Sequence, residues 1–288
     1  MDINDNSAKY IIINGSMYDS GESATDVLKN NGFCDISGST VIYEVIRFID
    51  GMPLFLEDHY MRFLKSASML GDFELIPKSE LLEYSKMLIK INGCENCNIK
   101  VMSILRNGDK TSPFAMYNSK AFYPPQSAYE EGVTVDCFDI TRNMPNAKIR
   151  NEDYLAAIER MKNTSGRPLF EVLLVNESGR LTEGSKSNLF FVSGKKIITA
   201  PDEAVLKGVM RKQVIEICRE TGIEIEFRAV HKDELPDIDA AFLTGTSIKA
   251  LPINNIGSVR LASSANILVC KVMKFLDDRI EADVSAYR

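Results

Sequence analysis

The strongest pattern of apolar positions runs over residues 41–55. VIYEVIRFI is rich in β-branched residues, Asp50-Gly51 is a favoured two-residue turn, and PLFL resumes the apolar run, so this stretch predicts a β-hairpin. A strand with an Asn-Gly turn is predicted over 11–18 (IIINGSMY). Asp58 reads as the N-cap of a helix over 59–70, closed by Gly71. Ser79 reads as the cap of a second helix, ELLEYSKMLIKIN, in which Leu82, Met87 and Ile91 keep rough helical spacing and Gly93 is the stop. Residues 99–105 and 115–122 pattern as strands, separated by a polar loop from Arg106 to Pro113. Pro124-Pro125 then interrupts regular structure.

Beyond the prolines the pattern predicts a strand over 133–140, a polar loop holding Lys148, and a helix over 153–162. A hairpin (171–176 with 180–183) and strands at 189–192 and 196–199 follow. A helix over 209–220 stops at Gly222, and 223–230 alternates as a strand. Residues 240–244 form a buried strand running into Gly245-Thr246-Ser247, and the last helix lies within 264–279. No internal repeat is present. The mixed order predicts an α+β (mixed α/β) chain in two lobes: a small N-terminal domain 1–122, a linker 123–130, and a larger C-terminal domain 131–288.

Composition narrows the function classes. With 288 residues, 45% of them hydrophobic, the chain can bury a sizeable core. A formal net charge of −6 argues against a general nucleic-acid binder and against a polybasic membrane surface. MDINDNSAKY has neither the basic start nor the apolar core of a secretion signal. No apolar run approaches the ~18 residues of a membrane span, so a cytoplasmic location is expected. Cysteines at 34, 94, 97, 137, 218 and 270 are scattered as free thiols of a reducing compartment would be. Cys94-Glu-Asn-Cys97 has no second pair beside it, and with only His59 and His231 a His-rich metal site is not expected.

The candidate chemistry is distributed over several stretches. Lys148, in PNAKIRN, is an amine that would form a Schiff base at a protected site, although a lysine in a polar loop is ordinarily solvated. Glu183 ends an apolar strand before a Gly-Ser turn; alone it also reads as a turn carboxylate. Two stretches offer backbone N–H groups to an anion: Leu206-Lys207-Gly208-Val209-Met210-Arg211, where a glycine enters a helix, and Gly245-Thr246-Ser247 after a buried strand. Arg62, one helical turn after His59, supplies a cation or is a surface arginine of an amphipathic helix.

The order of these pieces resembles the fold-type IV pyridoxal phosphate (PLP) enzymes, the class IV aminotransferases. That family includes branched-chain aminotransferases, D-amino acid aminotransferases and aminodeoxychorismate lyase. Four segments carry the resemblance: YEVIRFIDGMPLFLEDHYMRFLKSA, AKIRN, GRLTEGSKSNLFFV with LKGVMR, and FLTGTSIKALPI. It implies that Lys148 is the Schiff-base lysine and proton shuttle and that Glu183 is the partner of the ring nitrogen. Arg62, Val209, Met210, Thr246 and Ser247 would hold the phosphate, and Tyr43 would reach the active site from the small lobe. Met210 stands where many relatives carry threonine, which removes a hydroxyl contact but not a backbone one. Asp153 stands where branched-chain enzymes place a tyrosine, and Tyr154 follows it. Lys100 and Arg106 are the candidates for a substrate carboxylate, and each also reads as a solvated charge at a strand end. The resemblance further implies a site between the lobes, a homodimer, and transfer of an amino group between an amino acid and a 2-oxo acid such as 2-oxoglutarate. A branched-chain-type donor is preferred to a D-amino acid. The alternatives are elimination of pyruvate from aminodeoxychorismate and a non-catalytic PLP-binding protein.

Overall fold

The structure, a computed structural model, describes residues 6–21, 24–30, 33, 38–140, 142, 144–166 and 168–288. The chain divides into two compact units. One comprises Met1–Ala121 with Ala147–Arg150 and Ala282–Arg288; the other comprises Phe122–Asn146 with Asn151–Glu281.

In the first unit β1 (Asn6–Ile13), β2 (Ser16–Asp19), β3 (Ser39–Ile49), β4 (Met52–Pro53), β5 (Cys97–Arg106) and β6 (Phe114–Ser119) form one antiparallel sheet in the order β2-β1-β6-β5-β3-β4. The helices are α1 (Ala24–Asn30), α2 (Leu56–Ser68) and α3 (Lys78–Asn92). One sheet face packs Ile42, Ile46, Ile99 and Val101 against Phe63 of α2 and Leu88 of α3. The opposite face holds Val41, Met102, Ile104 and Tyr117 against Leu28 and Phe33. With both faces covered, β5 is buried along nearly its whole length, its polar Asn98, Lys100 and Ser103 included. The strand period of two places Tyr43 with Val41 on one face and Glu44 with Ile42 and Ile46 on the other.

The second unit contains α4 (Gln126–Glu131), β7 (Val133–Asp139), α5 (Glu152–Thr164), β8 (Glu171–Val175), β9 (Arg180–Gly184), β10 (Asn188–Ser193), β11 (Lys196–Thr199), α6 (Val209–Thr221), β12 (Glu224–Phe227), β13 (Val230–His231), β14 (Ala240–Gly245), β15 (Lys249–Ile256), β16 (Val259–Arg260) and α7 (Ile267–Ser285), whose residues from Ala282 on count with the first unit. Its sheet runs β12-β11-β10-β14-β15-β7-β8-β9-β13. β9 pairs with β8 and also, at Glu183 with Asn188, with β10, so the path from β10 to β9 returns on itself. Leu173, Leu189, Leu243, Leu251 and Ile253 are among the residues packed in its core.

Several expectations from the sequence are corrected. Asp58 is not the cap of α2: the helix begins at Leu56 behind Phe55, which takes a left-handed φ of 48° and donates its N–H to Asp283 Oδ2 at 2.6 Å. Burial of Leu56 favours the earlier start. Pro77, not Ser79, is the N-cap of α3. Most of the expected linker is helical as α4, because a proline that ends a strand is also compatible with a helix start. β15 forms despite Pro252, and α7 runs on to Ser285. Residues 147–150 and 282–288, assigned by sequence to the larger domain, belong to the first unit. The reason for 147–150 is backbone pairing: Ile149 bridges Ile42, and Arg150 N–H donates to Val41 O at 2.9 Å.

Among the described residues no helix is long and apolar enough to cross a membrane, and no cluster of His, Cys, Asp and Glu is placed to hold a metal. Burial, with Cys94 close by, pushes the Cys97 thiol up to about 12, so it is not a thiolate at neutral pH.

Candidate active site

In the first unit Lys148 is fixed by its main chain. Its N–H donates to Ser66 Oγ at 3.2 Å and its carbonyl accepts from Tyr43 N at 3.1 Å. The Nζ lies 5.0 Å from the centre of the Tyr43 ring. Lys100 Nζ lies 5.1 Å from that same ring and 5.7 Å from the ring of Tyr117. Lys100 is only 5% exposed, uncommon for a lysine. The antiparallel register opposes Tyr43 to Met102, so Lys100 is two residues away along β5 while Arg106 is four, about 13 Å at strand rise. The structure therefore gathers Tyr43, Lys148 and Lys100 and does not bring Arg106 to them.

Arg62 is positioned by an acid that the sequence reading passed over. Its Nε and Nη2 donate to the two oxygens of Glu44, each at 2.7 Å, and His59 Nδ1 lies 2.8 Å from Glu44 Oε2. Burial drives the Glu44 pKa up, but the charge and hydrogen bonds of Arg62, with the hydrogen bond of His59, prevail and hold it at about 2. Burial pushes the His59 pKa down against the pull of Glu44, so the imidazole is neutral and Nδ1 carries the proton. Arg62 is thus a pre-oriented, permanently charged fork rather than a surface arginine.

In the second unit Glu183 is 2% exposed. Its Oε1 accepts from Arg142 Nη1 at 2.8 Å, and its Oε2 accepts from Asn188 Nδ2 at 3.2 Å and Leu206 N at 3.1 Å. Three donors converge on a carboxylate, which favours its ionised form. Asn188 also donates to Leu206 O at 2.8 Å, tying the acid to the turn that starts α6. Gly208 is the N-cap of α6, and a Cβ there would collide with Asn188 Oδ1. Val209 and Met210 are the first residues of this 13-residue helix, with N–H groups that have no partner within it. Arg211 holds the same turn, donating to Asp202 Oδ1 at 2.7 Å and Ala200 O at 2.8 Å. Thr246 and Ser247 occupy the half-buried hairpin turn between β14 and β15. Tyr154 donates its hydroxyl to Ser185 O at 3.2 Å, and the Arg142 guanidinium lies 5.7 Å from its ring centre.

This donor set suits an anion at the α6 start and a cationic N–H at Glu183, the two ends of a phosphorylated pyridine. Arg142, Asn188 and Glu44 were missed from the sequence. Only Glu44 carried a readable signal: it shares a strand face with Ile42, Ile46 and Phe48, and an acid there needs a buried partner.

A family model described as amino-transferase class IV matches residues 41–256, more than half of the chain. The chain is 26% identical over 264 residues to a D-alanine aminotransferase of Bacillus licheniformis, covering 88% of this chain and 91% of that protein. It is 24% identical over 292 residues to a putative branched-chain-amino-acid aminotransferase of Methanocaldococcus jannaschii, covering 96% and 99%. A crystal structure of the T.th. branched-chain amino acid aminotransferase with pyridoxamine 5'-phosphate superposes with a TM-score of 0.79 at 23% identity, covering 98% of this chain and 97% of that one.

Proposed function

We propose, since this chain belongs to the class IV aminotransferase family, that it moves an amino group between a branched-chain-type amino acid and a 2-oxo acid such as 2-oxoglutarate. Pyridoxal 5'-phosphate, the cofactor of the family, supplies an aldehyde for the amino group and a ring that withdraws electrons from Cα. The Lys148 amine would hold that aldehyde and would serve as the base that carries the proton at substrate Cα. Glu183, which accepts from Arg142, Asn188 and the Leu206 N–H, would hold the proton on the ring nitrogen. The Val209 and Met210 N–H groups, Arg62, Thr246 and Ser247 bind the phosphate. Tyr43 flanks the Lys148 amine, and Lys100 binds a substrate carboxylate.

The observation that carries this reading is Glu183: a buried carboxylate with donors from three separate segments, joined through Asn188 to the start of a helix. Replacing it by glutamine should lower kcat about 100- to 1000-fold, as removal of one oriented electrostatic partner does. Single-turnover formation of the pyridoxamine form would measure that loss; an unchanged rate would remove Glu183 from the chemistry. Lys100→Met should raise KM for 2-oxoglutarate about 10- to 100-fold, the value of a charged hydrogen bond, with a smaller change in kcat. Steady-state kinetics with the oxo acid varied test this.

A D-amino acid donor is the second reading, favoured by the 26% identity to the D-alanine aminotransferase. Absorbance scans of the purified protein against panels of L- and D-amino acids separate the two. The branched-chain reading expects the visible band to bleach with L-leucine, L-isoleucine and L-valine and glutamate to appear with 2-oxoglutarate. Bleaching by D-alanine alone selects the second reading. Release of 4-aminobenzoate from aminodeoxychorismate without any bleaching would overturn both.

A further inference from the structure

Glu171 opens β8 and is 5% exposed, yet it has no part in the chemistry above. Its carboxylate faces the turn Gly184-Ser185-Lys186-Ser187 that joins β9 to β10. The Lys186 N–H donates to Oε1, the Ser185 hydroxyl donates to Oε1 at 3.3 Å, and the Ser187 hydroxyl donates to Oε2 at 2.9 Å. The approach is close: a Cβ on Gly184 would lie 2.6 Å from Oε1 and would collide with Ser187 Oγ. Ser185 N–H donates to Val172 O at 2.9 Å, and Tyr154 holds the Ser185 carbonyl. Glu183 and Asn188, the two ends of this turn, face each other across the β9–β10 pairing and are bonded through their side chains.

The geometry points to Glu171 as a positioning residue that clamps the 184–187 turn and so fixes the Glu183 and Asn188 side chains where the ring nitrogen is met. The inference rests on the role proposed for Glu183. The turn is built from glycine, two serines and a lysine, which contribute little apolar packing of their own. Its shape is therefore set by hydrogen bonds, and three of them end on one buried side chain. Burial pushes the Glu171 pKa up against the pull of these donors. Glutamine is thus a close stand-in: its oxygen accepts from Lys186 N–H and its amide donates to Ser187 Oγ.

The test compares Glu171→Val and Glu171→Gln in the full chain. Glu171→Val is expected to lower kcat about 10- to 100-fold with little change in KM, the cost of a misplacement on the order of 1 Å. The pH at which its visible cofactor band changes should also move, and Glu171→Gln should restore most of both. In cofactor-free protein, amide hydrogen exchange at Lys186 should accelerate at least about tenfold in Glu171→Val and not in Glu171→Gln. A Glu171→Val enzyme that loses thermal stability but keeps kcat and the band's pH profile overturns the inference, as does unaltered exchange at Lys186. Should the valine variant not fold, Ser185→Ala/Ser187→Ala keeps the acid and removes two donors, with an expected kcat loss of about 3- to 10-fold; an unchanged kcat in that variant overturns the inference equally. A wild-type protein that takes up no cofactor overturns the role of Glu183 and this inference with it. A loaded wild type whose clamp variants keep kcat overturns this inference alone.

Discussion

Lys148→Ala is expected to lose the visible cofactor band and to slow amino transfer by about 10⁴-fold or more, because one amine supplies both the covalent anchor and the proton transfer at Cα. The fold should survive. Lys148 is fixed through its backbone, by Ser66 Oγ and Tyr43 N, and alanine keeps both hydrogen bonds. The stability lost includes the cation–π contact with Tyr43, about 0.5–1 kcal/mol. Absorbance spectra, single-turnover rates and melting curves of the variant check the three statements together. A variant that keeps its band and its rate would require a different amine, and the proposed chemistry would have no base.

Glu44→Ala is expected to cost about 3–5 kcal/mol, because it leaves the Arg62 charge buried without its counterion. That is a large share of the 5–15 kcal/mol typical of a folded domain, so a drop in melting temperature of roughly 10 °C should be visible. The pH dependence has a definite sign. The folded-state pKa of Glu44 is depressed to about 2 from an ordinary value of 4.5. Its contribution, about 3 kcal/mol, is therefore complete above pH 4.5 and is lost as pH falls through the folded value. His59 acts in the same direction: its folded pKa is also lowered, so protonation below 6.5 favours the unfolded chain. The stability gap between wild type and Glu44→Gln should narrow from about pH 4.5 downward and close near pH 2. Equilibrium unfolding at a series of pH values measures it; a gap that is independent of pH would show that Glu44 is not the buried anion of this triad.

Much of the fold was legible along the chain because its signals are local. Asp50-Gly51 and Asn14-Gly15 take the left-handed angles that a two-residue turn requires, and each joins a hairpin. Gly93 and Gly222 close their helices in the left-handed conformation. The helix starts at Leu56 and Lys78 were misread because Asp58 and Ser79 are good caps by type, while the cap position was decided by where the preceding chain is held. The placement of 147–150 was illegible for a different reason. It depends on main-chain bonds to β3, and every residue type carries the same N–H and C=O groups.

The sequence alone determined the order and kind of the elements, the family resemblance, and the identity of Lys148, Glu183 and Arg62 as residues to watch. Each of those follows from side-chain type at short spacing. Only the tertiary structure decided what surrounds them. The donors to Glu183 come from positions 41, 5 and 23 residues away in sequence, and Glu44 lies 18 residues from the arginine it orients. Closure of the sheet at β9–β10 and the packing of α2 on β3 bring those groups together. No local pattern of residue types encodes a meeting set by which strands pair and which faces are buried.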